Sequence, residues 1–189
     1  MNIHTTHAAD GLERRAFTIR DIEQMVEAGV IDRDERFELI GGEIVPMSPK
    51  GIRHERLKQW LNYQLIRGLS DDYRTIPETT FRLSEDTFLE PDFVVYPTEA
   101  GLEGLKGNTC LLAIEVADSS LAYDRGRKSE IYASFGIVEL WVMDVNTMTT
   151  HMFRKPTRHS YSEKADMPVG AQLVPLFDEG FSINLEDYS

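Results

Sequence analysis

Cysteine is almost missing from this chain of 189 residues, which holds only Cys110. One thiol excludes an intrachain disulfide framework and suits a reducing compartment. Histidine is also sparse, at five residues, and no clustered Cys/His set of the kind that binds zinc can be assembled. No glycine-rich loop matches a P-loop or a dinucleotide fingerprint, because Gly41-Gly42 sits between two alternating segments as a hairpin turn does. No apolar run approaches the ~20 residues of a membrane-spanning helix. Met1 to Arg20 contains no apolar core of the signal-peptide type. The expectation is a soluble, cytoplasmic protein with no membrane partner.

Positive charge is scarce as well. Twenty Lys and Arg face 32 Asp and Glu, for a net charge of −12. Proteins that hold a phosphate backbone usually carry a basic stripe, so charge alone favours a protein with no nucleic-acid partner. The basic residues are nevertheless clustered. Arg53, Arg56, Lys58 and Arg67 lie in one segment, and Arg125, Arg127 and Lys128 in another. A local patch can coexist with an acidic total.

What is present is enough apolar sequence for a full core in one domain. Residues 1–16 are polar and unpatterned and read as a disordered tail, leaving 17–189 as a single domain. Thr18 with Asp21 predicts a helix start, and Gly29 its stop. Phe37 to Val45 predicts a hairpin. The spacing of Leu57, Trp60, Leu61, Leu65 and Leu69 predicts a helix from Ile52 to Gly68. Strands are expected over 73–83, 89–96 and 109–116, the last two nearly all apolar, as in strands covered on both faces. A helix over 124–135 and strands over 138–145 and 149–154 follow, then a polar loop over 155–165 and a final short strand near 172–176. The order is helix, three strands, helix, strand, with a hairpin before it and a pair after it. This is an α/β fold with a central mixed sheet flanked by helices.

Two carboxylates adjoin the apolar strands, Asp92 and Glu115. A buried carboxylate costs several kcal/mol unless it is paired or bound to a cation. If neighbouring strands bring both to one sheet edge, a divalent cation would relieve their repulsion. Oxygen ligands with few histidines suit Mg²⁺ or Mn²⁺. Lys128 falls in the first turn of the following helix, where it could stabilise charge on a phosphate or remain a solvated helix residue. Asp124 beside it could cap that helix. Glu38 either faces solvent or points into the site. His54, in the first turn of its helix, is either structural or in reach of a phosphate or water. Cys110 reads as inert core, and His151 and His159 as surface residues.

These pieces together resemble the bacterial Uma-type family of endonucleases in the PD-(D/E)XK superfamily. The resemblance is carried by Arg36 to Glu43, Met47-Ser48-Pro49 with His54, Glu90-Pro91-Asp92, Ile114-Glu115-Val116, Asp124 to Lys128 with Tyr132, and Val138 to Val142. It implies a restriction-endonuclease-like fold and phosphodiester hydrolysis of DNA by a metal-activated water. It assigns the metal to Asp92, Glu115 and the backbone carbonyl of Val116, with Mg²⁺ or Mn²⁺ as cofactor. The superfamily lysine normally stands two residues after the second acid, where this chain has Ala117. The resemblance is to members in which that lysine has moved to the next helix, a role Lys128 fits. Glu38 also matches a family-typical position. Members often work as homodimers, so a homodimer is expected. Two other classes stay open: a non-catalytic binding or assembly protein on the same fold, and a metal-free hydrolase with paired carboxylates, such as a glycosidase.

Overall fold

A computed structural model describes residues 5–7 and 13–188. The strands are β1 (Thr5–His7), β2 (Glu13–Arg15), β3 (Phe37–Ile40), β4 (Glu43–Pro46), β5 (Tyr73–Pro77), β6 (Phe81–Ser84), β7 (Thr87–Leu89) and β8 (Phe93–Pro97). They continue as β9 (Leu112–Ala117), β10 (Glu139–Asp144), β11 (Thr149–Pro156), β12 (Tyr161–Met167), β13 (Gln172–Leu173) and β14 (Ile183–Asn184). The helices are α1 (Ile19–Glu27), α2 (Ile52–Gly68), α3 (Leu121–Tyr123) and α4 (Ser129–Ser134). One domain over 17–189 is the sequence expectation; within the chain two compact units can be told apart, Met1–Pro49 with Thr80–Glu90, and Lys50–Thr79 with Pro91–Ser189.

The smaller unit contains the expected hairpin. Gly41 and Gly42 both take positive φ, at 56° and 82°, and join β3 to β4. The sheet order is β4-β3-β7-β6. Its own core gathers Ile22 and Ile31 with Phe37, Leu39 and Phe88. Helix α1 starts on the predicted capping box: Asp21 N–H donates to the Thr18 hydroxyl at 3.1 Å, and the Asp21 carboxylate accepts from Thr18 N–H at 2.8 Å. Within the tail expected to be disordered, β1 and β2 pair antiparallel over residues 5–7 and 13–15. The rest of that tail, apart from Ala16, lies outside the described residues.

The larger unit is built on a six-stranded mixed sheet in the order β12-β11-β10-β9-β8-β5. Only β9 and β10 pair in parallel, and α3 and α4 lie between them in sequence. Every residue of β9 and β10 is buried, as their apolar runs require. Helix α2 begins and ends where its apolar spacing predicts. It lays Leu57, Leu61 and Leu65 against Phe93, Val95, Leu112, Ile114 and Trp141. The succession α2, β5, β8, β9, α4, β10 in this unit is the expected helix, three strands, helix, strand.

Three expectations change. The strand expected over 73–83 breaks after Pro77, which has no N–H for a ladder, and at Glu78, which takes φ 50°. The strand expected over 89–96 is interrupted at Pro91, so Asp92 precedes β8 instead of lying inside it. The polar loop expected over 155–165 instead enters the edge strand β12, whose exposed polar residues suit an edge with one open side.

Cys110 is fully enclosed, and burial pushes its thiol up to about 12. Native protein at pH 8 should therefore resist a thiol reagent, while protein in strong urea should be modified completely. Rapid modification of the native chain would contradict that burial.

Candidate active site

Glu115 sits inside β9 with its side chain only 6% exposed. Two donors meet it. Lys128 Nζ lies 2.9 Å from Oε1, and the Tyr132 hydroxyl donates to the same oxygen at 2.5 Å. Both come from the connection that returns the chain to β10. The stretch Asp124–Lys128 joins two helical pieces across a kink at Gly126, whose φ and ψ are non-helical (−97°, −106°). Beyond the kink, Lys128 and Tyr132 stand four residues apart, as on one helix face, and share one acid. Asp124 has helical φ and ψ at the end of α3 and does not cap the helix that follows. Asp124 instead accepts from the Ser120 hydroxyl at 2.6 Å.

Asp92 is placed by the register of β8 on β9. Phe93 pairs with Ile114 and Val94 with Ala113. The next step of that register sets Asp92 opposite Glu115. Oδ2 of Asp92 accepts from Val116 N–H at 2.8 Å, which ties the first acid to the residue after the second. His54 Nε2 lies 3.1 Å from the same oxygen, and Lys50 Nζ donates to Oδ1 at 2.8 Å. Burial alone would raise the Asp92 carboxyl. The hydrogen bonds and charges of His54 and Lys50 outweigh it and hold the group down at about 2.

Around Asp92 the hydrogen bonds close into a ring. Lys50 Nζ also meets Glu78 Oε1 at 2.5 Å, and Lys58 Nζ meets that oxygen at 3.0 Å. Lys58 bonds to Glu55 at 2.9 Å, and Glu55 lies 3.1 Å from His54 Nδ1. Acids and bases therefore alternate: Asp92, Lys50, Glu78, Lys58, Glu55, His54, and back to Asp92. Burial tends to raise Glu78, but Lys50 and Lys58 hold it down at about 2.

The structure thus brings Glu115 to Lys128, and Asp92 to His54 and to the backbone of Val116. Glu38 belongs to the smaller unit. It is buried, not solvent-facing, and accepts from Glu90 N–H at 3.0 Å. His151 corrects a surface assignment: it is buried, and its Nδ1 lies 2.5 Å from Asp166. Sequence reasoning missed Lys50 and Glu78. Lys50 had a usable signal, its place in Ser48-Pro49-Lys50-Gly51 just ahead of α2, whereas nothing in the sequence marks Glu78.

Part of the basic clusters faces acids. Lys58 and Lys128 are paired as described, Arg125 approaches Asp166 at 3.9 Å, and Arg127 approaches Glu130 at 3.8 Å, whereas Arg53 donates to the Asn146 amide and Arg67 to the Tyr63 hydroxyl. Among the described residues, no three His, Cys, Asp or Glu side chains are grouped so as to hold a metal ion. The set implied by the resemblance is smaller, two carboxylates and a backbone carbonyl. Its donor chemistry fits a hard divalent cation: both acids are buried, and each already holds an ammonium at 2.8–2.9 Å in place of that charge. No helix among the described residues is long and apolar enough to cross a membrane.

Known proteins agree with this architecture. A crystal structure described as a "putative nuclease belonging to DUF820", from Anabaena variabilis, superposes with a TM-score of 0.69. The match covers 91% of this chain and 97% of that one, at 15% identity, and so speaks for the fold. No match was found among curated proteins. The sequence model of the Uma2 family, described as "Putative restriction endonuclease", matches residues 20–186, and the chain belongs to that family.

Proposed function

We propose that this protein is a divalent-metal-dependent endonuclease that hydrolyses phosphodiester bonds of DNA. The observation that carries the reading is a pair of buried carboxylates at one end of the β8–β9 pairing: Glu115 inside β9, held by Lys128, and Asp92 just ahead of β8, bonded to the N–H of Val116. Asp92, Glu115 and the carbonyl of Val116 would hold Mg²⁺ or Mn²⁺. The cation, when bound, supplies Lewis-acid activation of water and neutralises charge on the phosphate. The residues of the chain do the positioning. His54 and the Val116 N–H fix the Asp92 carboxylate, and Tyr132 fixes Glu115. Lys128 brings its ammonium to the side of Glu115, where it can meet a phosphate oxygen as negative charge builds. Assembly as a homodimer, one site for each DNA strand, is part of this proposal, and sedimentation of the pure protein tests it.

The direct test is supercoiled plasmid incubated with pure protein and Mn²⁺ or Mg²⁺. Nicked and linear products that disappear with a chelator support the reading. Absence of cleavage on several DNAs, with no cation binding by calorimetry, would remove it. A second reading, a non-catalytic binding or assembly protein on this fold, is favoured by one observation: the Lys128–Glu115 pair is buried, at 4% and 6% side-chain exposure. In that case the pair supports the fold, and neither cation binding nor cleavage is expected.

A further inference from the structure

The Asp92 carboxylate already has a resident cation, and the way that cation is held points to a role for it. Lys50 is only 12% exposed and lies between two acids, Asp92 Oδ1 at 2.8 Å and Glu78 Oε1 at 2.5 Å. Glu78 is not an incidental neighbour. Its backbone takes φ 50°, a conformation a residue with a Cβ seldom adopts without support. Its N–H bonds to the Asp92 carbonyl at 3.2 Å, so the two acids are also tethered through the main chain. Lys58 meets the same Glu78 oxygen, Oε1, at 3.0 Å and so helps to hold that carboxylate in place. A lysine shared by two acids has a choice of partner. If a stronger cation takes Asp92, Glu78 can retain Lys50 without leaving an ammonium unpaired.

We infer that Lys50 is a positioning residue and an internal competitor. It occupies Asp92 in the metal-free protein, yields that carboxylate to the divalent cation, and is retained by Glu78 when it does so. The Lys50–Glu78 pair then sets how tightly the site takes its metal. This inference rests on the reading of Asp92 as a metal ligand. It adds two residues, Lys50 and Glu78, that hold neither metal nor substrate.

The opposing effects of two substitutions test it. Mn²⁺ is titrated into the full-length protein by calorimetry at pH 7 and constant ionic strength, with circular dichroism used to confirm folding. Lys50→Met removes the competitor, so Mn²⁺ should bind about tenfold tighter. Glu78→Gln removes the negative charge that retains Lys50, so Mn²⁺ should bind about tenfold more weakly. A purely structural role predicts weaker binding in both variants, or no change in either, and that pattern would overturn the inference. If Lys50→Met does not fold, Lys50→Gln replaces it, because its uncharged amide NH₂ can still donate within the ring. Asp92→Asn separates the two levels of argument. Wild-type affinity in Asp92→Asn, or no Mn²⁺ binding by wild type, removes the metal-site reading itself. Binding that depends on Asp92 but does not tighten in the Lys50 variants removes only the role of Lys50.

Discussion

Asp92→Asn should lower metal-dependent plasmid cleavage by about a thousandfold, and Lys128→Met by roughly a hundredfold or more. The two losses have different causes, which a stability measurement separates. Asn keeps the shape of Asp92 and can still accept from the Val116 N–H, so the fold should survive while the anionic oxygens are lost. Lys128→Met does more harm, because it removes the ammonium that neutralises a carboxylate buried in β9. Breaking one side of a buried ion pair typically costs ~3–5 kcal/mol. The double variant Glu115→Gln with Lys128→Met no longer leaves a bare charge inside. It should regain much of the stability lost in Lys128→Met and none of the cleavage. If the double variant recovered cleavage together with stability, Lys128 would be a structural lysine and neither it nor Glu115 would belong to the catalytic machinery. Urea unfolding and initial nicking rates, measured on the same preparations, decide the matter.

Glu139→Ala should cost ~3–5 kcal/mol in stability, the largest effect expected outside the candidate site. Glu139 begins β10 and is 0% exposed. Its Oε1 accepts from Trp141 Nε1 at 2.8 Å and from Arg154 Nε at 2.8 Å. Its Oε2 accepts from Leu176 N–H at 2.7 Å. One carboxylate thus ties an indole in the core, a guanidinium on β11 and the segment after β13. Alanine would leave all three donors without that acceptor, and the Arg154 charge without its counter-ion. Glu139→Gln keeps one acceptor oxygen and should cost about half as much. Urea midpoints of the three proteins test this. An alanine variant within ~1 kcal/mol of wild type would mean that water replaces the carboxylate, and that the anchor contributes little.

How much of this was legible beforehand depends on the range of the interaction responsible. Helix α2 was readable to its ends because its leucines repeat at the helical period and its stop is local. The hairpin at Gly41-Gly42 was readable because its turn needs positive φ. Strands β9 and β10 announced themselves as apolar runs too long to face water. Asp92 and Glu115 stood out for the same reason, as charges set against those runs. Local signals failed at Asp124, where a cap was one reading and the helical path in fact starts three residues earlier. They failed at 155–165, where exposed polar residues look alike in a loop and in an edge strand.

By its own patterning, then, the chain determined an α/β fold, the order of the main elements and the identity of two suspicious acids. Only tertiary structure decided which cation each acid meets. Lys128 and Tyr132 reach Glu115 from the helical piece that follows the kink at Gly126, and Lys50 and Glu78 reach Asp92 from the segment before α2 and the turn after β5. Those pairings join residues up to 42 positions apart along the chain. Their Coulomb energy depends on distance and burial, which periodicity does not encode.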